Sequence, residues 1–431
     1  MKKIIQSFLI IVFFLNITNS FGQISYAKEV VKKLSSKKMH GRGYVKKGDL
    51  KAAKYIKKEF KRIGLLKYND DYFQKFNFSI NTQPSNLELK LNDTLKLTPG
   101  VEFLIDPSSP SIKGNFTTIH FTLEDILNTN WLIETLKSAK DKVLLIDTYS
   151  LDQFNTVEKN KITKTINYLK YSQDHLAAAV LVFSNKKLTW SGSTMQSKKA
   201  SFVIKKKINL KNIHTVNLNS KSLFIEKYTS QNCIGYLKGT SNTDSTIVIS
   251  AHYDHLGRMG RKTYFPGAND NASGIALLLN QAVYFSKKEN TPKYNMVFIA
   301  FGGEEIGLLG SKYFTENPVL TLSKIKFLLN FDLAGTGDEG IKVVNGTEFP
   351  KEFNLLKSIN KQHDLLKDVF SRGSACNSDH CYFYKKGVPS FFIYTLGGIK
   401  AYHDIYDKYE TLPFTFFEEY SKLTHLFINK L

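Results

Sequence analysis

Two short apolar runs constrain this chain most, because each one ends in a cluster of acidic or histidine side chains. Thr246–Ile249 leads into SAHYDHLG, Met296–Phe301 leads into GGEEIGLLGS, and the motif GANDNASG lies between them. Such runs are typical of central strands in a parallel sheet. In open α/β sheets, ligands bind outside the carboxyl ends of the strands. The stretch 250–311 is therefore predicted to form one crevice.

The chemistry of the clustered side chains indicates a divalent metal site. Glu304 and Glu305 are adjacent, and two such acids repel each other unless one binds a cation while the other moves a proton. Each acid taken alone has an ordinary explanation as a residue of a helix N-terminus or a turn. Their common position after predicted strands favours the metal site. The side chains expected to converge there are those of His252, Asp254, Asp270, Glu304 and Glu305.

Alternating strand and helix patterns from residue 246 onward predict the fold class. We expect an α/β fold with a mixed, largely parallel central sheet sandwiched by helices. Ser273 is expected to cap one helix, and another is expected to begin near Glu304. Further strands are predicted at 327–331, which precedes Asp332, and at 388–393. Residues 24–66 have a helical pattern in which Asp49 is the expected cap and Gly64 the end.

The pattern changes between about residues 80 and 220. Leu87, Leu89 and Leu91 alternate with polar residues, as in half-buried strands, and 143–146 and 178–183 have the pattern of buried strands. No metal-ligand or nucleophile pattern occurs there, so isolated histidines of this part are interpreted as structural. We therefore predict an inserted smaller β-rich domain at 86–220, within a catalytic domain formed by 23–85 and 221–431.

The N-terminal 22 residues have the pattern of a secretory signal peptide. Lys2 and Lys3 precede the apolar run Ser7–Leu15, and small residues follow at 20–22. Export to a periplasm or the cell exterior is therefore expected, without a stable membrane span. The net charge of +22 raises the question of nucleic acid, but its lysines are spread along the whole chain. This spacing favours a solvated basic surface and no nucleic-acid partner.

Three cysteines are too few for a disulfide scaffold. Cys376 and Cys381 lie five residues apart and could form a disulfide in an oxidising compartment. Cys233 lies in a strand-like segment and is predicted to be a buried free thiol.

The complete set of motifs resembles the zinc-dependent M28 family of co-catalytic aminopeptidases. The motifs SAHYDH, GANDNASG, FGGEEIGLLGS, NFDLAG, SDHCYF and YHDIYD occur in the order that the family uses. The resemblance covers 230–431 strongly and 24–80 loosely. It implies a fold of the zinc aminopeptidase type, peptide or protein substrates, and two zinc ions. The middle segment is similar in position to the protease-associated domain often inserted in this family.

The resemblance also implies a role for each matched residue. His252 and Asp332 would bind one zinc, Glu305 and His403 would bind the other, and Asp270 would bridge them. Glu304 would be the general base, and Asp254 would hydrogen-bond the His252 imidazole. The remaining roles are an oxyanion contact from Tyr402, support of the site or its entrance by Asp379 and His380, and a structural part for His255. A cis peptide bond is expected between Asp270 and Asn271.

Three other activities stay open at this point. Glutaminyl cyclases share the fold but usually hold a single zinc, and the five-ligand set argues against them. A carboxypeptidase-type member would need a cationic pocket, for which Arg372 is available. A non-catalytic binding member would be expected to have lost ligands, whereas this sequence retains all of them and the base. The preferred substrate residue and the oligomeric state do not follow from the sequence.

Overall fold

The computed structural model describes residues 24–68 and 70–431. The predicted signal peptide at 1–22 lies outside the described residues. Within the described part, every helix is too short or too polar to cross a membrane.

The chain alternates between strands and helices along most of its described length. In chain order the strands are β1 (Phe73–Thr82), β2 (Leu87–Leu91), β3 (Leu95–Lys96), β4 (Phe103–Ile105), β5 (Ile112–Phe121), β6 (Val143–Asp147), β7 (Ala179–Phe183), β8 (Ala200–Ile204), β9 (Thr215–Ser220), β10 (Leu223–Leu237), β11 (Thr246–His252), β12 (Arg258–Met259), β13 (Thr263–Tyr264), β14 (Asn295–Phe301), β15 (Ile325–Asp332), β16 (Gly340–Val344), β17 (Val369–Arg372) and β18 (Ser390–Leu396). The α-helices are α1 (24–34), α2 (Gly48–Ile63), α3 (Leu123–Leu127), α4 (Thr129–Lys137), α5 (Thr156–Tyr171), α6 (Gly274–Phe285), α7 (Leu309–Glu316), α8 (Pro350–His363), α9 (His380–Lys385) and α10 (Phe417–Lys430).

An eight-stranded sheet forms the centre of the larger domain. Its strand order is β1-β10-β14-β11-β15-β18-β16-β17. The four central strands β14, β11, β15 and β18 are parallel to one another, whereas the pairs β1–β10, β10–β14 and β16–β18 are antiparallel. The predicted mixed, largely parallel sheet is therefore confirmed, and its parallel centre directs several strand ends to one edge.

Helices cover both faces of this sheet. Side chains alternate along β11, so Ile247 and Ile249 pack with α1, α2, α6 and α10, while Val248 packs on the opposite face with Phe314 of α7 and Phe383 of α9. Residues of central parallel strands are buried on both faces, which explains the continuous apolar runs in the sequence.

The middle of the chain forms a second eight-stranded sheet, in the order β3-β2-β9-β5-β6-β7-β8-β4. Helices α3, α4 and α5 pack on one face of β6 and β7. The opposite face forms a core that also contains Leu256, Met259 and Phe265 of the larger domain. The second domain is therefore joined to the first through shared apolar packing next to the strand β11 end.

Three local predictions about helix ends were wrong. Asp49 is the second residue of α2, whose cap position is Lys47, and its carboxylate accepts hydrogen bonds from Tyr228 and Ser230. Ser273 is already helical, because a turn at Ala268–Ser273 precedes α6. No helix begins near Glu304: α7 starts at Leu309, since left-handed backbone at 303, 307 and 308 interrupts the helical path.

Candidate metal centre

Three parallel strands bring the predicted site residues to one edge of the sheet. His252 is the last residue of β11, Asp332 is the last of β15, and Glu304 and Glu305 follow β14. In the register of β11 and β14, His252 pairs with Phe301. Residues separated by more than 50 positions thus meet because parallel strands end at a common edge.

Asp270 lies between two imidazoles, and each of its oxygens faces one of them. Oδ1 lies 3.4 Å from His252 Nε2, and Oδ2 lies 3.1 Å from His403 Nε2. His252 Nε2 also lies 3.4 Å from Asp332, and His403 Nε2 lies 3.2 Å from Glu305. The five predicted ligands therefore form two groups that share the Asp270 carboxylate. The first group adds His252 and Asp332, and the second adds His403 and Glu305.

Donor atoms in this cluster are close enough to surround a cation. Two overlapping sets of three residues have donor atoms within 4.8 Å of one another and could each hold a metal. One set is His252, Glu304 and Asp332, and the other is His252, Asp270 and Glu305. Imidazole nitrogen with carboxylate oxygen is a donor set that suits zinc. Glu304, the predicted general base, therefore also lies among the possible metal-binding atoms, at 4.0 Å from His252 Nε2.

The orientation of His252 fits a metal ligand. Its Nδ1 lies 3.2 Å from the main-chain oxygen of Asp254, which can only accept a hydrogen bond. The proton therefore belongs on Nδ1, and the lone pair of Nε2 points towards Asp270 and Asp332. A backbone carbonyl commonly fixes the tautomer of a ligating histidine in this way.

The predicted contact of the Asp254 carboxylate with His252 is corrected by this geometry. The carboxylate Oδ1 is 3.9 Å from Nδ1, too far for a hydrogen bond. Instead Oδ1 accepts from the Glu304 main-chain N–H at 3.1 Å, and Oδ2 accepts from the Tyr44 hydroxyl at 3.2 Å. Both carboxylate oxygens of Asp254 have other partners, so this carboxylate positions the loop of Glu304. The His252 imidazole is oriented instead by the main-chain oxygen of Asp254.

Two buried charged residues hold the loop that carries Asp270. The Asp407 carboxylate accepts from the main-chain N–H groups of Asn269 and Asp270 at 2.8 and 2.9 Å. The Arg42 guanidinium donates to the main-chain oxygens of Gly267 and Asp270 from the other side. The peptide bond between Asp270 and Asn271 is cis, as the family resemblance implied. Asp270 is thus fixed through its main chain.

The two adjacent glutamates have opposite electrostatic surroundings. Burial raises the pKa of Glu304 well above its ordinary value, although the charge of His252 acts in the other direction. Burial also pushes the pKa of Glu305 upward, but His255 and His403 outweigh it and hold that pKa well below its ordinary value. Glu305 is therefore the permanent anion of the pair, and Glu304 is the one suited to take up a proton.

His255 is fully buried beside Glu305 and has a supporting position. Its Nδ1 lies 2.5 Å from Glu305 Oε1, and it lies 3.9 Å from Asp270. Because Oε1 of Glu305 faces His255, the other oxygen faces His403. His255 thus orients Glu305, in keeping with the structural part expected of it.

Asp379 and His380 are both buried in the interior. Asp379 is buried, and burial raises its pKa to about 6. His380 stacks on Phe392 with ring centroids 5.2 Å apart. The disulfide between Cys376 and Cys381 closes the loop around them, and Cys233 is a buried free thiol, as predicted. Their expected role, support of the site or of its entrance, stays a prediction.

The remaining candidate residues lie at the surface. Tyr402 is 47% exposed and stacks on His403 with ring centroids 4.0 Å apart. Arg372 is exposed at the end of β17, the edge strand of the sheet. Of the two, Tyr402 is the one that contacts a predicted ligand.

Sequence reasoning missed the residues that hold the ligands in place, chiefly Arg42, Tyr44 and Asp407. Arg42 stands in the motif HGRG, whose flanking glycines signal a close main-chain approach. A Cβ on Gly41 would lie 2.4 Å from the Gly257 oxygen, so this turn packs directly against the segment after β11. Asp407 is the last residue of YHDIYD, where a second carboxylate near His403 was a visible signal.

Part of this sequence is similar to a known peptidase family and to individual members of the curated proteins. The model of "Peptidase family M28" matches residues 232–428. The aminopeptidase YwaD of Bacillus subtilis is 32% identical over 168 residues, which are 38% of this chain and 35% of that protein. Leupeptin-inactivating enzyme 1 of Streptomyces exfoliatus is 29% identical over 38% of this chain and 37% of its own length. The chain thus spans little more than a third of the length of these curated relatives.

Solved structures extend the likeness over nearly the whole chain. The zinc aminopeptidase BSAP from Bacillus subtilis superposes with a TM-score of 0.66 at 20% identity, covering 94% of each chain. An aminopeptidase from Aneurinibacillus sp. strain AM-1 gives a TM-score of 0.61 at 21% identity, over 94% of this chain and 93% of that one. At these identities the superpositions show a shared fold that includes the second domain. The match to peptidase family M28 covers residues 232–428, somewhat less than half of the chain, and the superpositions add the shared fold of the whole described part.

Proposed function

We propose that this protein is a zinc-dependent aminopeptidase that holds two zinc ions. The observation that carries the proposal is the position of Asp270, whose two oxygens face His252 and His403 separately at 3.4 and 3.1 Å. A carboxylate placed in this way suits a bridge between two cations. The aminopeptidase names of several similar proteins support the choice among peptidase activities.

The ligand assignment follows the two groups that share Asp270. His252 and Asp332 would hold the first zinc, and Glu305 and His403 would hold the second. Zinc in such a pair supplies a Lewis acid for the substrate carbonyl and lowers the pKa of bound water. The residues fit this role because His252 directs Nε2 into the cluster and Glu305 remains ionised.

Glu304 is the proposed general base. Its main-chain N–H is held by the Asp254 carboxylate, which is held in turn by the Tyr44 hydroxyl. Its raised pKa allows Glu304 to accept a proton from the attacking water and to return it to the leaving amine. The neighbouring Glu305 cannot replace it, because two histidines stabilise its anion.

Tyr402 is the proposed donor to the oxyanion of the tetrahedral intermediate. Burial and the nearby acids raise the pKa of its phenol, so the hydroxyl keeps its proton at neutral pH. Stacking on His403 fixes the ring at the solvent side of the ligand cluster. A preorganised donor at this position would stabilise the charge that develops on the scissile carbonyl.

Hydrolysis of aminoacyl-chromophore substrates by the mature protein tests the proposal. Activity should disappear after chelation and return with added zinc. Glu304→Gln should lower kcat by more than a thousandfold while two zinc ions per chain remain bound by mass spectrometric metal analysis. Glu316→Gln, an exposed substitution of the same type in the same domain, serves as the matched control. Near-normal turnover of Glu304→Gln would refute its role as the base.

The type of peptide released distinguishes this activity from its alternatives. An aminopeptidase should cleave substrates with a free N-terminal amine and leave their acetylated counterparts intact. Cyclisation of peptides with N-terminal Gln would indicate a cyclase, and release of C-terminal residues would indicate a carboxypeptidase. A zinc-loaded protein that binds peptides without changing them would favour a binding function.

We also propose that the protein is exported. The support comes from the charged and apolar pattern of residues 1–22 and from a disulfide between Cys376 and Cys381, a bond favoured in oxidising compartments. Fractionation of cells that express the full chain, with a variant lacking residues 2–22 as control, tests this. Retention of the full chain in the cytoplasm would contradict it.

A further inference from the structure

The segment between β7 and β8 reaches from the second domain to the metal centre. This segment, residues 184–199, is here named the strap. Part of it also bonds to β1 of the larger domain. The Asn81 N–H donates to the Ser193 oxygen at 2.8 Å, and the Ser79 hydroxyl donates to the Thr194 oxygen at 2.6 Å. The strap is therefore anchored in both domains.

Lys187 of the strap binds the loop that carries His403. Its ammonium group donates to the main-chain oxygens of Lys400 and Tyr402 at 2.8 and 3.0 Å and pairs with the Asp404 carboxylate at 2.8 Å. An ammonium group has three donors, so all three are used on one five-residue loop. Asp404 is only 6% exposed on its side chain, whereas Lys187 is 44% exposed. Lys187 thus closes the loop from outside.

Trp190 of the strap contacts the same loop at His403 itself. Its main-chain N–H donates to the His403 oxygen at 2.9 Å. Its indole stacks on Phe265 with centroids 4.8 Å apart and donates to the Ile105 oxygen at 2.7 Å. His403 has a left-handed φ of 52°, which an imidazole-bearing residue adopts at a cost unless its surroundings hold it. The strap supplies such a contact.

The strap also packs beside Glu305, the other ligand of the second group. Trp190 and Gly192 line a small cavity together with His255, Glu305 and Ile306. A Cβ on Gly192 would lie 2.3 Å from Ile306 Cγ2, so the two segments are in close contact. The first group is held differently: His252 and Asp332 are end residues of central strands, and His252 is oriented by the neighbouring Asp254 oxygen.

We propose that the strap is a positioning element for the second zinc, through Lys187 and Trp190. The inference rests on the proposed two-zinc site and assigns to the inserted domain a part in metal binding. The first zinc depends on residues of the larger domain alone. Loss of the strap contacts should therefore weaken the binding of one zinc and leave the binding of the other unchanged.

Zinc retention by the mature full-length protein tests this asymmetry. Wild type, Lys187→Met and the control Lys186→Met are dialysed against graded concentrations of a chelator, and bound zinc per chain is counted. Lys186 is an exposed neighbour, so its substitution removes the same charge without the three contacts. We expect two zinc ions in wild type and control, and a release midpoint for one zinc about tenfold lower in chelator concentration in Lys187→Met, the usual effect of removing a residue that orients a ligand.

Double variants identify which zinc is lost. Asp332→Ala should leave the second zinc, and adding Lys187→Met should weaken the binding of this remaining ion about tenfold. His403→Ala should leave the first zinc, and adding Lys187→Met should not change its release. Residues that act on the same ion couple in such cycles, whereas independent ones do not.

The outcomes separate the two proposals. A wild-type protein that never binds two zinc ions would overturn the two-zinc assignment and the inference with it. Two ions in wild type with an unchanged release curve in Lys187→Met would overturn the inference alone, as would equal weakening of both ions. Melting temperatures within a few degrees of wild type confirm that the variants are folded, as expected for a side chain this exposed.

Discussion

Substitution of Arg42 should cost more stability than that of any other arginine near the site. The guanidinium is fully buried, and burial lowers its pKa to about 10, so it remains charged at pH 7. It donates to five main-chain oxygens, those of Leu34, Tyr253, Pro266, Gly267 and Asp270, at 2.7–3.2 Å. These oxygens belong to α1, the residue after β11 and the loop of Asp270. One side chain therefore joins three segments.

The expected cost follows from the number of acceptors left without a donor. A buried polar group that loses its partner costs about 1–3 kcal/mol, and carbonyl oxygens can recover part of this from water or neighbouring donors. At about 1 kcal/mol for each oxygen, Arg42→Met should lower the free energy of unfolding by about 5 kcal/mol. Arg42→Lys has at most three donors from a single nitrogen, so we expect about half that loss, roughly 2–3 kcal/mol.

Denaturant unfolding of the three proteins measures these losses, with zinc removed so that metal binding does not add to stability. Arg261→Met is the matched control, because Arg261 is exposed in the adjacent hairpin, and its effect should stay within about 0.5 kcal/mol. Zinc content measured separately should fall in Arg42→Lys, since the Asp270 loop is displaced. If Arg42→Met unfolds within 1 kcal/mol of wild type, the side chain does not hold the three segments together and the reasoning is refuted.

Three further predictions concern the site and its surroundings. Tyr402→Phe should lower kcat about a hundredfold with little change in KM or zinc content, and an unchanged kcat would exclude Tyr402 as the oxyanion donor. Asp407→Asn should weaken both zinc ions in chelator titrations, because it loosens the loop of the bridging Asp270; selective loss of one ion would contradict the bridge. Burial raises the pKa of Asp49 from 3.8 to about 6, so the protonated form is favoured in the folded state. Wild-type stability should therefore fall by about 3 kcal/mol relative to Asp49→Asn as the pH rises from 4 to above 6, and parallel stability curves would contradict this.

The sequence was sufficient for the sheet and for the list of candidate ligands. Apolar runs such as Thr246–Ile249 identify strands buried on both faces, and polar residues directly after them identify the functional edge. The position of His252, Asp332 and Glu305 after strands follows from the chain order alone. The resemblance to a family supplied their division between two zinc ions, which is still a prediction.

Helix starts were predicted less well, because capping depends on the path of the preceding loop. Ser273 is a residue type that often caps helices, but here its own backbone is already helical, and its hydroxyl donates to the Asn269 oxygen and accepts from the Ala334 N–H. Glu304 is a residue type common in the first turn of a helix, but the left-handed backbone that follows it prevents a helix there, and α7 begins only at Leu309. In both places, contacts with distant segments outweigh local propensity.

The sequence by itself determined which side chains carry the chemistry and which strands bring them to a common edge. This was possible because burial and side-chain chemistry can both be inferred from short stretches of sequence. Only the tertiary structure decided how those side chains are held. Arg42 contacts the main-chain oxygen of Asp270 across 228 positions, and Lys187 contacts that of Tyr402 across 215. Such contacts are made to main-chain atoms, which every residue possesses, so no pattern of residue types at the receiving end could have revealed them.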